Sequence, residues 1–178
     1  IKSTKMKQVL IKKGKAIVVE IPAPMIEPNE VLVQVKASCL SVGTEMSGVL
    51  SSAIPIWKKA FQQPEKVIKT LKMASNIGVQ RTWKLVEERR DAAHHTGYSA
   101  AGIVVEVGEK IVDLLPGDRV ACAGSQYAHH AEYIRVSENL CTPMTPNLDW
   151  DSAATVTLGA IAMQGVRRAQ PSLGETFA

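Results

Sequence analysis

Gly97-Tyr98-Ser99-Ala100-Ala101-Gly102-Ile103-Val104-Val105-Glu106-Val107-Gly108, followed further on by Leu115-Pro116-Gly117-Asp118-Arg119-Val120, reads as two strands joined by a turn. Ile103, Val105 and Val107 alternate with Val104 and Glu106, the period of two expected of a half-buried strand. Pro116-Gly117-Asp118 is turn chemistry set before a second β-rich run, since proline presets φ and glycine accepts a positive φ. A small barrel or sandwich follows from these residues alone.

Outward from this pair the pattern continues. Val31, Val33, Val35 and Ala37 alternate with Leu32, Gln34 and Lys36, which predicts a strand with at least one buried side that delivers the loop Ser38 to Glu45. Met6 to Glu20 predicts a hairpin turning at Lys13-Gly14-Lys15, and Pro22, Pro24 and Pro28 then forbid regular pairing. Residues 51–90 change character, with apolar spacing of three and four. Pro64 fits the first turn of a helix bearing Val67, Ile68, Leu71 and Ala74, and Gly78 separates it from a second helix bearing Val79, Trp83 and Val86. Trp57 and Phe61, four apart, suggest a shorter helix before these. After the strand Tyr133 to Val136 and a loop broken by Pro143 and Pro146, Asp149 or Asp151 is expected to cap a helix running to about Ala169. That helix carries Ala153, Val156, Ala160 and Met163 at helical spacing, Pro171 and Gly174 stop it, and Thr176 would open another strand.

The order Gly-x-x-x-x-Gly-x-Val-x-x-Val-Gly, then Gly117-Asp118-Arg119-Val120, then Ala131-Glu132-Tyr133, resembles the GroES-like catalytic domain of medium-chain alcohol dehydrogenases and quinone reductases. The resemblance extends back to residues 31–38 and forward through Asp151-Ser152-Ala153-Ala154 to Leu173-Gly174-Glu175-Thr176, covering most of the chain outside residues 46–95. With Ser41-Val42-Gly43-Thr44-Glu45 before the gap, it looks most like the bacterial two-domain oxidoreductases, in which a dehydrogenase half is fused to a sugar-oxidoreductase-like half. The implied fold is mostly β with a helical insertion (α+β): a GroES-like, partly open β-barrel whose C-terminal helix leads to a Rossmann domain beyond Ala178. Residues 1–150 would form the substrate domain, with 46–95 as a basic helical insertion. Residues 151–178 would be the linker helix and the start of a truncated dinucleotide-binding domain.

The resemblance also locates chemistry. In the zinc enzymes of the family the loop after the valine-rich strand supplies a cysteine, and the next strand opens on histidine and glutamate. Here Ser41 stands at the cysteine position, Tyr98 at the histidine and Ser99 at the glutamate. A neutral hydroxyl and a phenol are poor zinc ligands, and the four cysteines of a structural zinc lobe are absent, so no zinc is expected. A zinc-free dehydrogenase must polarise its carbonyl with hydrogen bonds or a general acid, and Tyr98, Ser41, Thr44 and Glu45 are the available groups. A space-filling role for Tyr98 and an exposed-loop role for Glu45 stand beside these. Gly43 occupies the place of the Ser or Thr that begins a proton relay, which Thr44 would fill only in a loop shifted by one residue. Thr157, Gly159 and Ile161 correspond to the segment bordering the nicotinamide. The Gly-x-Gly-x-x-Gly turn that cradles the dinucleotide lies outside the sequence, so NAD(P) is expected in the full-length protein and only weak binding by these 178 residues. Gly97 to Gly102 is no phosphate loop, because no Lys-Ser or Lys-Thr follows Gly102.

Composition sets the remaining bounds. The chain has 178 residues, 46% hydrophobic and 21% charged, enough for one ordinary domain with a real core. No apolar run approaches the roughly 20 residues that span a bilayer, and the basic N-terminus lacks a secretion signal, so a cytoplasmic, non-membrane protein is expected. Cys39, Cys122 and Cys141 have no close pair in sequence and read as reduced thiols, small buried hydrophobes first of all. An unrelated metal site of Cys122 with His129 and His130, or of His94 and His95, stands against the reading of these histidines as surface residues, which is preferred because adjacent histidines on a strand point apart and cannot easily share one ion. The net charge of +4 conceals +6 between Ser51 and Arg90, which leaves about −2 elsewhere and argues against a nucleic-acid role for the whole protein.

The leading expectation is therefore the substrate-binding and catalytic domain of a zinc-independent NAD(P)-dependent oxidoreductase, acting on a small carbonyl or alcohol that could be sugar-related. A homo-oligomer is left open. The alternative is a non-catalytic binding or assembly domain whose basic insertion, with Trp57 and Trp83, docks an anionic partner.

Overall fold

Valine-rich β3 (Glu30–Ser38) is an interior strand of the largest sheet, next to its central strand. The computed structural model describes residues 5–43, 45–46 and 64–176. Within it a five-stranded antiparallel sheet runs in the order β7 (Tyr133–Ser137), β3, β5 (Ser99–Val107), β6 (Arg119–Ala123), β8 (Cys141–Pro143). A second sheet holds β2 (Lys15–Pro22), β1 (Lys5–Lys12) and the short β4 (His94–His95). The β1–β2 connection is the expected tight turn, with Lys13 at φ 49 and Gly14 at φ 76, positive at both central positions as a type I′ hairpin requires.

The first half of β3 is buried on both faces. Val31, Leu32 and Val33 are all 2% exposed or less, so the alternation read from sequence belongs to a strand covered from both sides. Each such side chain contributes roughly 1.5–3 kcal/mol over exposure. On one face Val31 and Val33 join Val104, Val120, Ile134 and Val136 in the main core. On the other, Ala37 pairs with Ala101 and Ala101 with Ala121, so three small residues from three strands lie in one row. Ala153 and Ala154 pack against this row, because methyl-sized side chains let a helix approach a sheet closely. Gly102 serves the same economy of space: a Cβ there would come 2.2 Å from the Gln34 carbonyl oxygen.

The link between β5 and β6 turns at Leu115-Pro116-Gly117-Asp118, where Asp118 N donates to Leu115 O at 3.1 Å and Gly117 sits at φ 100. That is a type II turn, with proline and glycine in their favoured places. Arg119 of the same motif holds the far loop. Its Nη1 donates to Pro146 O at 2.7 Å, its Nη2 to Leu148 O at 2.6 Å, and its guanidinium lies 4.4 Å from the Trp150 ring centre.

The chain divides into two compact units, residues 1–8, 19–40 and 96–178, and residues 9–18 and 41–95. The second contains α1 (Pro64–Ile77) and α2 (Val79–Asp91), which begin and part where Pro64 and Gly78 predict. Their apolar faces differ from the expectation: Ile68, Val79 and Trp83 are exposed, while Thr82 is buried and its hydroxyl donates to Gly78 O at 2.9 Å. The helix expected around Trp57 and Phe61 lies outside the described residues. The C-terminal helix is two helices, α3 (Trp150–Ala153) and α4 (Val156–Ala169), broken at Ala154-Thr155. Asp149, not Asp151, caps the first, its carboxylate accepting from Ser152 N at 2.8 Å. The described residues after α4 contain no strand, and Phe177 and Ala178 lie outside them. Among the described residues no helix is long and apolar enough to cross a membrane.

Candidate functional site

At one end of the large sheet, the last residues of β3 meet the first residues of β5 and the connection leading to β7. Ser38 pairs with Ala100, Cys39 N donates to Ser99 O at 2.9 Å, and His130 N donates to Thr96 O at 3.0 Å. Gly97 makes this convergence possible. It sits at φ +97, and a Cβ there would come 2.7 Å from His130 N.

Tyr98, half-buried, projects from this junction, and its backbone is fixed from two directions. Its carbonyl accepts from Gly124 N at 2.9 Å and from the Thr157 hydroxyl at 3.0 Å. Ser99, fully buried, does more than occupy a ligand position: its hydroxyl donates to Ala154 O at 2.6 Å and accepts from Thr157 N at 3.2 Å. Thr155, the N-cap of α4, makes no side-chain capping bond, its own hydroxyl donating instead to Ser152 O. Ser99 therefore caps α4 from a strand far away in sequence.

In the other unit, Ser41 and Glu45 form one helical turn. Glu45 N donates to Ser41 O at 2.9 Å, and Ser41 N donates back to Glu45 Oε1 at 3.3 Å. Glu45 is half-buried, not an exposed loop residue. Thr44 lies outside the described residues. On α4, Thr157 is half-buried and joined to Tyr98 and Ser99, whereas Gly159 faces open space and Ile161 is 64% exposed. A ligand reaching α4 would thus meet Gly159 and Ile161, while the Thr157 hydroxyl is already committed.

Two groups were named in the sequence without the partners that the structure gives them. His130 is 9% exposed, and its Nδ1 lies 2.8 Å from Ser38 Oγ, so the surface reading fails for this histidine. The available signal was the spacing of two between Ala128 and His130, both of them buried. Cys122 and Cys141, remote in sequence, stand opposite each other on β6 and β8. His94 and His95 are exposed on β4.

Zinc finds little at the positions where the resemblance would place it. The donors there are hydroxyls and a phenol, and the Ser99 hydroxyl already has two protein partners. Among the described residues no three His, Cys, Asp or Glu side chains gather as a metal site.

No protein-family model matches the chain. A chloroplastic NADPH-dependent alkenal/one oxidoreductase from Arabidopsis thaliana is 35% identical over 90 residues, covering 46% of this chain and 23% of that protein. The quinone oxidoreductase from Coxiella burnetii superposes with a TM-score of 0.69 at 19% identity, over 97% of this chain and 47% of its own. The Escherichia coli quinone oxidoreductase, solved with NADPH, gives 0.62 at 15% identity, over 92% and 41%. The chain thus spans about half or less of the proteins it matches. Its fold is the curled half-barrel of the GroES-like domain in the medium-chain dehydrogenase and quinone oxidoreductase structures.

Proposed function

We propose that this chain is the GroES-like substrate domain of a zinc-independent, NAD(P)-dependent medium-chain oxidoreductase and works with a dinucleotide-binding domain in a longer protein. The observation that carries this reading is α4. It is anchored to the start of β5 through Ser99 and Thr157, yet Leu158, Ile161, Met163 and Val166 are all exposed along it. A helix bound to the sheet at one end and apolar on its open side suits a second domain and a cofactor between them. The lengths of the matched proteins support the same reading.

In this proposal Gly159 and Ile161 border the nicotinamide, and Thr157 aligns the helix by holding the Tyr98 carbonyl. When bound, NAD(P) supplies or accepts the hydride. The Tyr98 phenol donates a hydrogen bond to the oxygen of the substrate carbonyl, where negative charge develops as hydride arrives. Glu45, bonded to Ser41 N, holds its own turn in shape. The substrate is a small carbonyl or alcohol, and a sugar-related one is the finer reading offered by the resemblance to two-domain bacterial oxidoreductases.

Sequencing the coding DNA past Ala178 tests this first. A frame continuing into a strand and Gly-x-Gly-x-x-Gly is expected, with NAD(P)H-dependent turnover of quinones, enals or sugar alcohols by the whole protein. A stop codon directly after Ala178 would overturn it.

A further inference from the structure

We propose that Cys122 and Cys141 form a peroxide-reactive dithiol, in which Cys141 is oxidised first and Cys122 closes a disulfide. The two are register partners across the antiparallel pair β6 and β8, with their sulfurs 3.7 Å apart. Residues directly opposite on antiparallel strands have Cα atoms about 4.5–5.5 Å apart, inside the span a disulfide accepts. Closing the bond therefore needs side-chain rotation and no strand movement.

The two thiols have unequal access. β8 is the edge strand and Cys141 is half-buried there, the more exposed of the two thiols. Cys122 is fully buried within the core. Its hydrogen bond with Cys141, and then burial, push its thiol pKa up, so Cys122 waits as the resolving thiol while Cys141 meets the oxidant. The Cys141 sulfur attacks one peroxide oxygen, the O–O bond breaks, and sulfenic acid and water form. The Cys122 sulfur then displaces hydroxide from the Cys141 sulfur, and its thiol proton leaves with that hydroxide as a second water. Two thiols lose two electrons in total, and hydrogen peroxide is reduced to two waters.

The bond would staple the sheet edge beside Ala123-Gly124, whose Gly124 N–H holds the Tyr98 carbonyl. It would also close a loop that contains His130.

The test treats the purified chain with hydrogen peroxide, blocks remaining thiols with N-ethylmaleimide, and maps peptides by mass spectrometry without reduction. The expected result is a linked Cys122–Cys141 peptide pair lighter by two hydrogens, lost on adding dithiothreitol, with Cys39 still alkylated. Cys122→Ala should accumulate dimedone-reactive Cys141; the wild-type mapping decides the matter even where that variant does not fold. Alkylation of both Cys122 and Cys141 after a dose that oxidises Cys39 would overturn the proposal. So would oxidation of Cys141 beyond sulfenic acid with no linked pair.

Discussion

Ser99 and Tyr98 are neighbours with different duties. The Ser99 hydroxyl is consumed by Ala154 O and Thr157 N, whereas Tyr98 is held by its backbone carbonyl and keeps its phenol for other work. On the proposed function, Tyr98→Phe in the longer protein is expected to lower kcat about 100-fold with little change in KM. Steady-state kinetics check this, and equal turnover removes the phenol from the chemistry. Ser38→Ala withdraws the hydroxyl 2.8 Å from His130 Nδ1, and a cost of about 1 kcal/mol should appear as a lower urea midpoint. Tyr98 could be singled out in the sequence because it stands at a motif position, and its role is part of the proposed function. The contact of His130 was not legible, because nothing local says whether a histidine between His129 and Ala131 faces solvent or Ser38.

The C-terminal helical pair shows how elements depend on one another. α3 carries its own start signal in Asp149, while α4 borrows its cap from β5. Ser99→Ala leaves buried Ala154 O and half-buried Thr157 N without that hydroxyl. A loss of about 1–3 kcal/mol is expected, with faster amide exchange in the first turn of α4 measured by hydrogen–deuterium exchange. Asp149 responds to acid. Hydrogen bonds from Ser152, backbone first, lower its pKa, so its folded value lies below the unfolded value of about 3.9. Its stabilisation is present above the unfolded value and lost as pH falls through the folded one. Thermal scans below about pH 4 should therefore show wild type losing more melting temperature than Asp149→Ala. The helix starts at Pro64 and after Asp149 were readable, since proline and aspartate act within one turn. The break at Ala154-Thr155 was not, because continuous helical spacing conceals a junction made by a distant strand.

At the scale of the whole molecule, α4 exposes the apolar side chains Leu158, Ile161, Met163 and Val166. On the proposed function, Ile161→Lys should change the stability of this chain by no more than about 0.5 kcal/mol while lowering NAD(P)H-dependent turnover of the full-length enzyme. Denaturant titration of the one and kinetics of the other check both halves of that expectation. The sequence by itself determined β1, β2, β3, β5, β6 and β7, the turn at Pro116-Gly117 and the resemblance to the GroES-like fold, but not the short β4 and β8. Period-two alternation and turn residues act over a few positions and need no distant partner. Tertiary structure alone decided that Ser99 caps α4, that His130 meets Ser38 and that Cys122 faces Cys141. Each of these contacts joins residues remote along the chain, and strand register, a property of the whole sheet, sets which side chains come within reach.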